Sequence, residues 1–111
     1  GLKKDDPRVQ AVMDFCRRHY TVKENPNFGS DGQYYYYVAF ARALNASGLD
    51  TIDALDGSKS TPRNWRADLI NQLATMQNDD GSFKSVNKRW MEDNTPLITA
   101  YALLAAQNAL R

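Results

Sequence analysis

From Thr95 to Leu110 the chain carries no charged side chain, and from Tyr34 to Ala46 it carries one, Arg42. Charged residues make up 24% of the sequence overall, so these two stretches are singled out. Both read as helices. "YYYYVAFARALNA" (34–46) continues from tyrosines into alanines and a leucine, and "TPLITAYALLAAQNAL" (95–110) opens on Thr95-Pro96. Proline at the first helical position needs no partner for its missing N–H, and a preceding Thr or Asp oxygen caps a free donor. A helix that is apolar all round is a buried helix. The sequence therefore predicts two inner helices whose whole circumference is covered.

The segments between them are of another kind. Val9, Val12, Met13, Cys16 and Tyr20 fall on one face at helical spacing, with Asp14, Arg17 and Arg18 off it. Trp65, Leu69, Ile70, Leu73 and Met76 repeat the pattern. Both read as amphipathic helices with one side in water. Their starts are expected at Asp6-Pro7 and Thr61-Pro62, and "SDGQ" (Ser30 to Gln33) has the spacing of a capping box for the first apolar helix. Gly48 stands where a C-cap glycine belongs. The stretch from there to the next helix, with Asp50, Asp53 and Asp56 among serines and glycines, reads as a surface linker.

The order amphipathic, apolar, amphipathic, apolar looks like an internal repeat. Ala39, Ala43, Asn45 and Ala46 align with Ala102, Ala106, Asn108 and Ala109. The expected fold is all-α: a first αα-hairpin over 6–47, a linker over 48–61 and a second αα-hairpin over 62–110. Stacked hairpins of this kind form curved arrays, with small alanines allowing close approach. Two hairpins cannot close a ring. The inner helices are expected to need neighbours, from the rest of a longer array or from a second copy of the chain.

"QNDDGSF" places Gln77, Gly81 and Phe83 as Gln-x-x-x-Gly-x-aromatic between an amphipathic and an apolar helix. This resembles the repeat motif of the squalene cyclase and protein prenyltransferase superfamily, whose fold is an α/α toroid. The resemblance spans roughly residues 6 to 110. It is strongest in "RNWRADLINQLATMQNDDGSF", "RWMEDNTP" and "LITAYALLAAQNAL"; "GQYYYYVAFARAL" is similar to the inner helix of squalene-cyclase-like proteins. In the first hairpin Tyr20 stands at the glutamine position, so that repeat is degenerate. The resemblance implies that Gln77 bonds the backbone near Thr95, that Phe83 stacks beside it and that Gly81 makes the turn.

It also implies candidate wall residues for an apolar, isoprenoid-like small molecule: Tyr34, Tyr37, Trp90 and Tyr101, with Arg42 for an anionic group. Tyrosines at 34–37 could stabilise cations by their faces, or simply fill space between helices with hydroxyls on nearby backbone. Arg42, the one charge on an apolar helix, calls for a carboxylate partner or an anionic ligand. Trp90 stands at a cavity rim or closes a hairpin end, and Glu92 and Asp93 suit the dipole of the helix that follows.

Catalytic signals are thin. The Asp-x-Asp-Asp acid motif of alkene-protonating cyclases is absent, so Asp79 and Asp80 are expected to shape a turn. Asp50, Asp53 and Asp56 could offer oxygen ligands to a cation, but a solvated linker explains them. Cys16 and His19 at i, i+3 could form half of a zinc site; a packed cysteine beside a boundary histidine is the simpler reading. No metal and no cofactor are expected. Net charge is +1, without the concentrated basic surface that nucleic acid requires, and no apolar run reaches a membrane-span length. A single cysteine forbids an internal disulfide. The chain opens on Gly1, which leaves its compartment open. Function is expected to be that of a non-catalytic scaffold or apolar ligand-binding wall of a squalene-cyclase-like protein. The alternatives are a piece of an isoprenoid cyclase or prenyltransferase whose catalytic residues lie outside this chain, and a protein-interaction module.

Overall fold

The computed structural model describes residues 5–26, 29–86 and 93–111. Helix α1 runs Pro7–Arg18, with Asp6 accepting the Arg8 N–H at 2.8 Å and proline in its first turn. Helix α2 is Gln33–Ala46. Strands β1 (Ile52–Asp56) and β2 (Lys59–Arg63) follow, then α3 (Trp65–Met76) and α4 (Thr95–Ala109).

The all-α expectation is therefore wrong. Residues 48–61 are not a plain linker, because most of them belong to an antiparallel hairpin with Ile52 opposite Arg63 and Asp56 opposite Lys59. Its two-residue loop begins at Gly57, whose φ of 63° suits the turns that match strand twist. Thr61-Pro62 does not start a helix either. Pro62 lies in β2 opposite Asp53. With Asp56 and Lys59 flanking the loop as a hydrogen-bonded pair, alternation makes Asp53 and Pro62 a non-bonded pair, so proline forfeits no ladder bond. The next helix starts later, with Asn64 as the cap accepting the Ala67 N–H at 3.0 Å.

Capping differs from expectation once more. Ser30 makes no capping box: Gly32 is the N-cap residue of α2, left-handed at φ 63°, with no side-chain cap bond. At the other end Gly48 takes φ 69°. There the Gly48 N–H donates to Asn45 O at 3.0 Å and the Leu49 N–H to Leu44 O at 3.4 Å, the double bond pattern of a Schellman stop.

The core gathers Met13 of α1, Tyr34, Tyr37, Phe40 and Leu44 of α2, Ile52, then Trp65, Leu69 and Leu73 of α3, with Ile98, Ala102, Ala105 and Ala109 of α4. Helix α4 packs along α2 and also meets α3, while α1 meets β1. On α3 the face that the spacing predicts is the buried one. On α1, Val12 and Phe15 are left exposed.

The apolar helices are not buried all round. Tyr35 and Leu103 are each 62% exposed and Leu110 is 76% exposed. Ala39, Arg42 and Ala46 are exposed as well, with Ala43 half-buried, so the described residues leave most of the alanine stripe of α2 uncovered. The reason is the number of layers. Helix α3 packs on α4 and the loop after α1 is held against α2, and the exposed side chains lie where no described element packs. Among the described residues no helix is long and apolar enough to cross a membrane.

Candidate functional site

Three tyrosines in the row at 34–37 point their hydroxyls at backbone. Tyr36 donates to Thr21 O at 2.9 Å and Tyr37 to Val22 O at 2.6 Å. Gln33, one turn before Tyr37, donates to Lys23 O at 2.9 Å and to the Tyr37 hydroxyl at 2.6 Å. Three consecutive carbonyls of the loop after α1 are thus held by one turn of α2. Tyr34 reaches the other way, donating to Lys84 O at 2.6 Å. A helix presents residues i, i+3 and i+4 to one side. Gln33, Tyr36 and Tyr37 follow that spacing.

Burial pushes the Tyr36 hydroxyl well above the usual tyrosine range, with nearby titratable groups adding to it. Tyr20 is raised too, first by burial and then by Asp68, whose carboxylate accepts its hydroxyl at 2.6 Å. A raised tyrosine pKa favours the neutral form in the fold. The associated stability is complete below about pH 10, where free tyrosine titrates, and is lost as pH rises above it. Melting temperature is expected to fall steeply beyond that point, and Tyr36→Phe to flatten the fall. An unchanged slope in alkaline thermal melts would contradict this account.

Between the clamped loop and the hairpin lies a cleft of about 610 Å³. Arg18, Lys23 and Glu24 line one wall; Ala54, Thr61 and Arg63 line the other. At its margin Arg63 donates from Nε at 3.2 Å and Nη2 at 3.0 Å to one oxygen of Asp68. Its guanidinium carbon stands 5.7 Å from the Tyr20 ring centroid. None of these residues was singled out by the sequence as a binding group. Tyr20, Arg63 and Asp68 lie on three elements, and no spacing relates them.

Among the described residues, the expected ligand residues do not form one site. Tyr34 and Tyr37 are fully buried at 0% exposure. Their rings pack edge-on to each other at 6.0 Å, and Tyr34 also packs on Phe83 at 6.2 Å; neither lines open space. Tyr101 is half-buried and meets Tyr35 at 5.9 Å on the outer face. Arg42 is exposed, which removes both the buried ion pair and the buried anion contact. Trp90 and Glu92 lie outside the described residues.

The Gln77 motif forms a turn of its own. Gln77 Nε2 donates to Gly81 O at 2.9 Å and does not reach the next helix. The start of α4 is served instead by Asn94, which accepts the Leu97 N–H at 3.1 Å. Gly81 takes φ 91°, a value that favours glycine. Asp80 accepts both the backbone N–H and the hydroxyl of Ser82, at 2.9 and 2.6 Å, and these bonds hold its carboxyl below the usual range. Asp79 is exposed.

Among the described residues no three His, Cys, Asp or Glu side chains come together as metal ligands. Asp50 pairs with Arg66 at 3.0 Å, while Asp53 and Asp56 are exposed along β1. His19 stacks on Phe15 at 4.5 Å. The Cys16 thiol is pushed up by burial, partly offset by Arg17, the opposite of an activated nucleophile. No family model, no curated protein and no solved structure matches the chain.

Proposed function

We propose that the chain is a non-catalytic scaffold segment whose α2–α4 layer docks on a second helical layer, supplied by another copy of the chain. The outward face of that layer carries the reading. It bears Tyr35, Ala39, Tyr101, Leu103 and Leu104, with Arg42 its one charged side chain. A face of this kind, with a single charge, on a small domain is a docking surface. An isologous pairing sets like against like, which such a face tolerates because almost no charge opposes charge. Exposed Ala39 and Ala46 let a partner helix approach closely. The resemblance of the α3–turn–α4 half to squalene-cyclase-like repeats, through Gln77, Gly81 and Phe83, agrees with a role in helical stacking. The fully buried Tyr34 and Tyr37 speak for scaffold over ligand wall.

Sedimentation equilibrium tests the reading. The expected result is a dimer with a Kd in the micromolar range, about −8 kcal/mol. Ala39→Glu or Leu104→Glu should disperse it while leaving the circular dichroism spectrum unchanged. A chain that stays monomeric at millimolar concentration overturns self-docking.

A further inference from the structure

Helix α1 is the least anchored helix of the fold. Among the described residues, Met13 is the one side chain of α1 that is buried, at 4% exposure, whereas α3 and α4 each bury four. Cys16 and Arg17 are half-buried, and the other described side chains of α1 are exposed. Val12 and Phe15 stay 49% and 43% exposed. The ion pairs close locally, Asp14 with Arg17 at 2.8 Å and Asp6 with Arg8 at 2.9 Å. Among the described residues α1 packs on β1 and on no other element to a comparable extent. Beyond that contact, the Ser47 hydroxyl reaches Met13 Sδ at 3.7 Å.

The chain directly after α1 is held more firmly. Tyr20 donates to Asp68 of α3 and packs edge-on to Phe40 at 5.9 Å. The next three carbonyls, of Thr21, Val22 and Lys23, are bound by Tyr36, Tyr37 and Gln33 of α2. Anchorage therefore changes abruptly between Tyr20 and His19, which is exposed and stacks back on Phe15. Stability is not uniform along a chain, and a segment with few buried apolar contacts opens at less cost than global unfolding. A lone helix of 12 residues is marginal in water, so leaving its seat and melting are one event.

Two surfaces depend on α1 staying in place. Arg18 and His19 line the cleft. Met13 shares the buried cluster with Ile52, which lies on the strand that α1 packs against.

We propose that α1 is a releasable strap. Residues 7–19 detach as a unit at the His19–Tyr20 junction while the rest of the fold stands, and release widens the cleft and bares the seat of Met13 beside β1. The device does not depend on the α2–α4 docking face.

Hydrogen exchange followed by NMR on the intact chain tests this. Amides 11–18, which bond within the helix, should share one protection factor, at least about a hundredfold below that of the buried turns of α2 and α4. Met13→Ala should speed exchange in α1 by about tenfold or more. Ile98→Val, a change at a fully buried position of α4, should lower protection of α2 and α4 by about two- to tenfold. It should leave α1 unchanged, because the strap opens without unfolding the core. Protection in α1 equal to that in α4 would overturn the proposal. So would a fall in α1 on Ile98→Val that matches the fall in α2 and α4, no change in α1 on Met13→Ala, or a gradient of protection along α1, the mark of fraying.

Discussion

Replacing Trp65 with alanine is expected to cost the fold about 4 kcal/mol, the usual toll for a fully buried large aromatic side chain. Trp65 is 0% exposed at the start of α3. Its indole N–H donates to Leu49 O at 2.6 Å, its ring meets Phe40 edge-on at 5.9 Å, and Arg66 lies 4.6 Å over it. Truncation opens a cavity and leaves the Leu49 carbonyl without its donor just past the end of α2. Domains of this size are stable by only about 5–15 kcal/mol, so the loss is a large share of the whole. Urea titration should show a much lower midpoint with little change in slope. Trp65→Phe keeps most of the packing and loses the N–H, and should cost about 1–2 kcal/mol. A Trp65→Ala midpoint close to wild type would show that the site collapses without a void.

The next residue should give the second-largest effect. Arg66 donates Nη1 to Asn108 O at 3.0 Å and Ala109 O at 3.2 Å, Nη2 to Asn45 Oδ1 at 3.1 Å and Nε to Asp50 at 3.0 Å. It thereby closes the last turn of α4, where carbonyls have no helical partner and a cation suits the dipole. It ties that turn to the end of α2. Its bond to Asp50 adds little, because that carboxylate is 86% exposed. Arg66→Met keeps the stem and removes the fan of donors, and should cost about 2–3 kcal/mol. Arg66→Lys should recover a minority of that, since an ammonium offers no planar fork. Hydrogen exchange should show the loss first at the C-terminal turn of α4. If Lys and Met variants unfold at the same midpoint as wild type, the fan is ornamental. The two substitutions touch each other and should not add.

The parts of this fold legible in the sequence are those decided by neighbours along the chain. Asp6-Pro7 and Gly48 mark helix ends through local bonds, and the spacing of Trp65, Leu69, Leu73 and Met76 marks a buried face. What escaped is what depends on partners far away. Asp56-Gly57 is a hairpin signal, but the flanking Asp53, Lys59 and Ser60 show no clear alternation, so composition suggested a loop. Thr61-Pro62 looks like a helix start unless one knows that Pro62 sits at a non-bonded ladder position. The apolar character of 34–46 and 95–110 describes the side chains and not the number of layers available to cover them. The cleft was invisible for a related reason: Tyr20, Arg63 and Asp68 come together from a loop, a strand and a helix that no local spacing relates.

The tyrosine row also couples parts of the surface that lie far apart along the chain. Tyr36 and Tyr37 secure residues 21 and 22, and Tyr34 secures residue 84. Two connections more than sixty residues apart thus share a single anchor, and any change that loosens the first turn of α2 is felt at both.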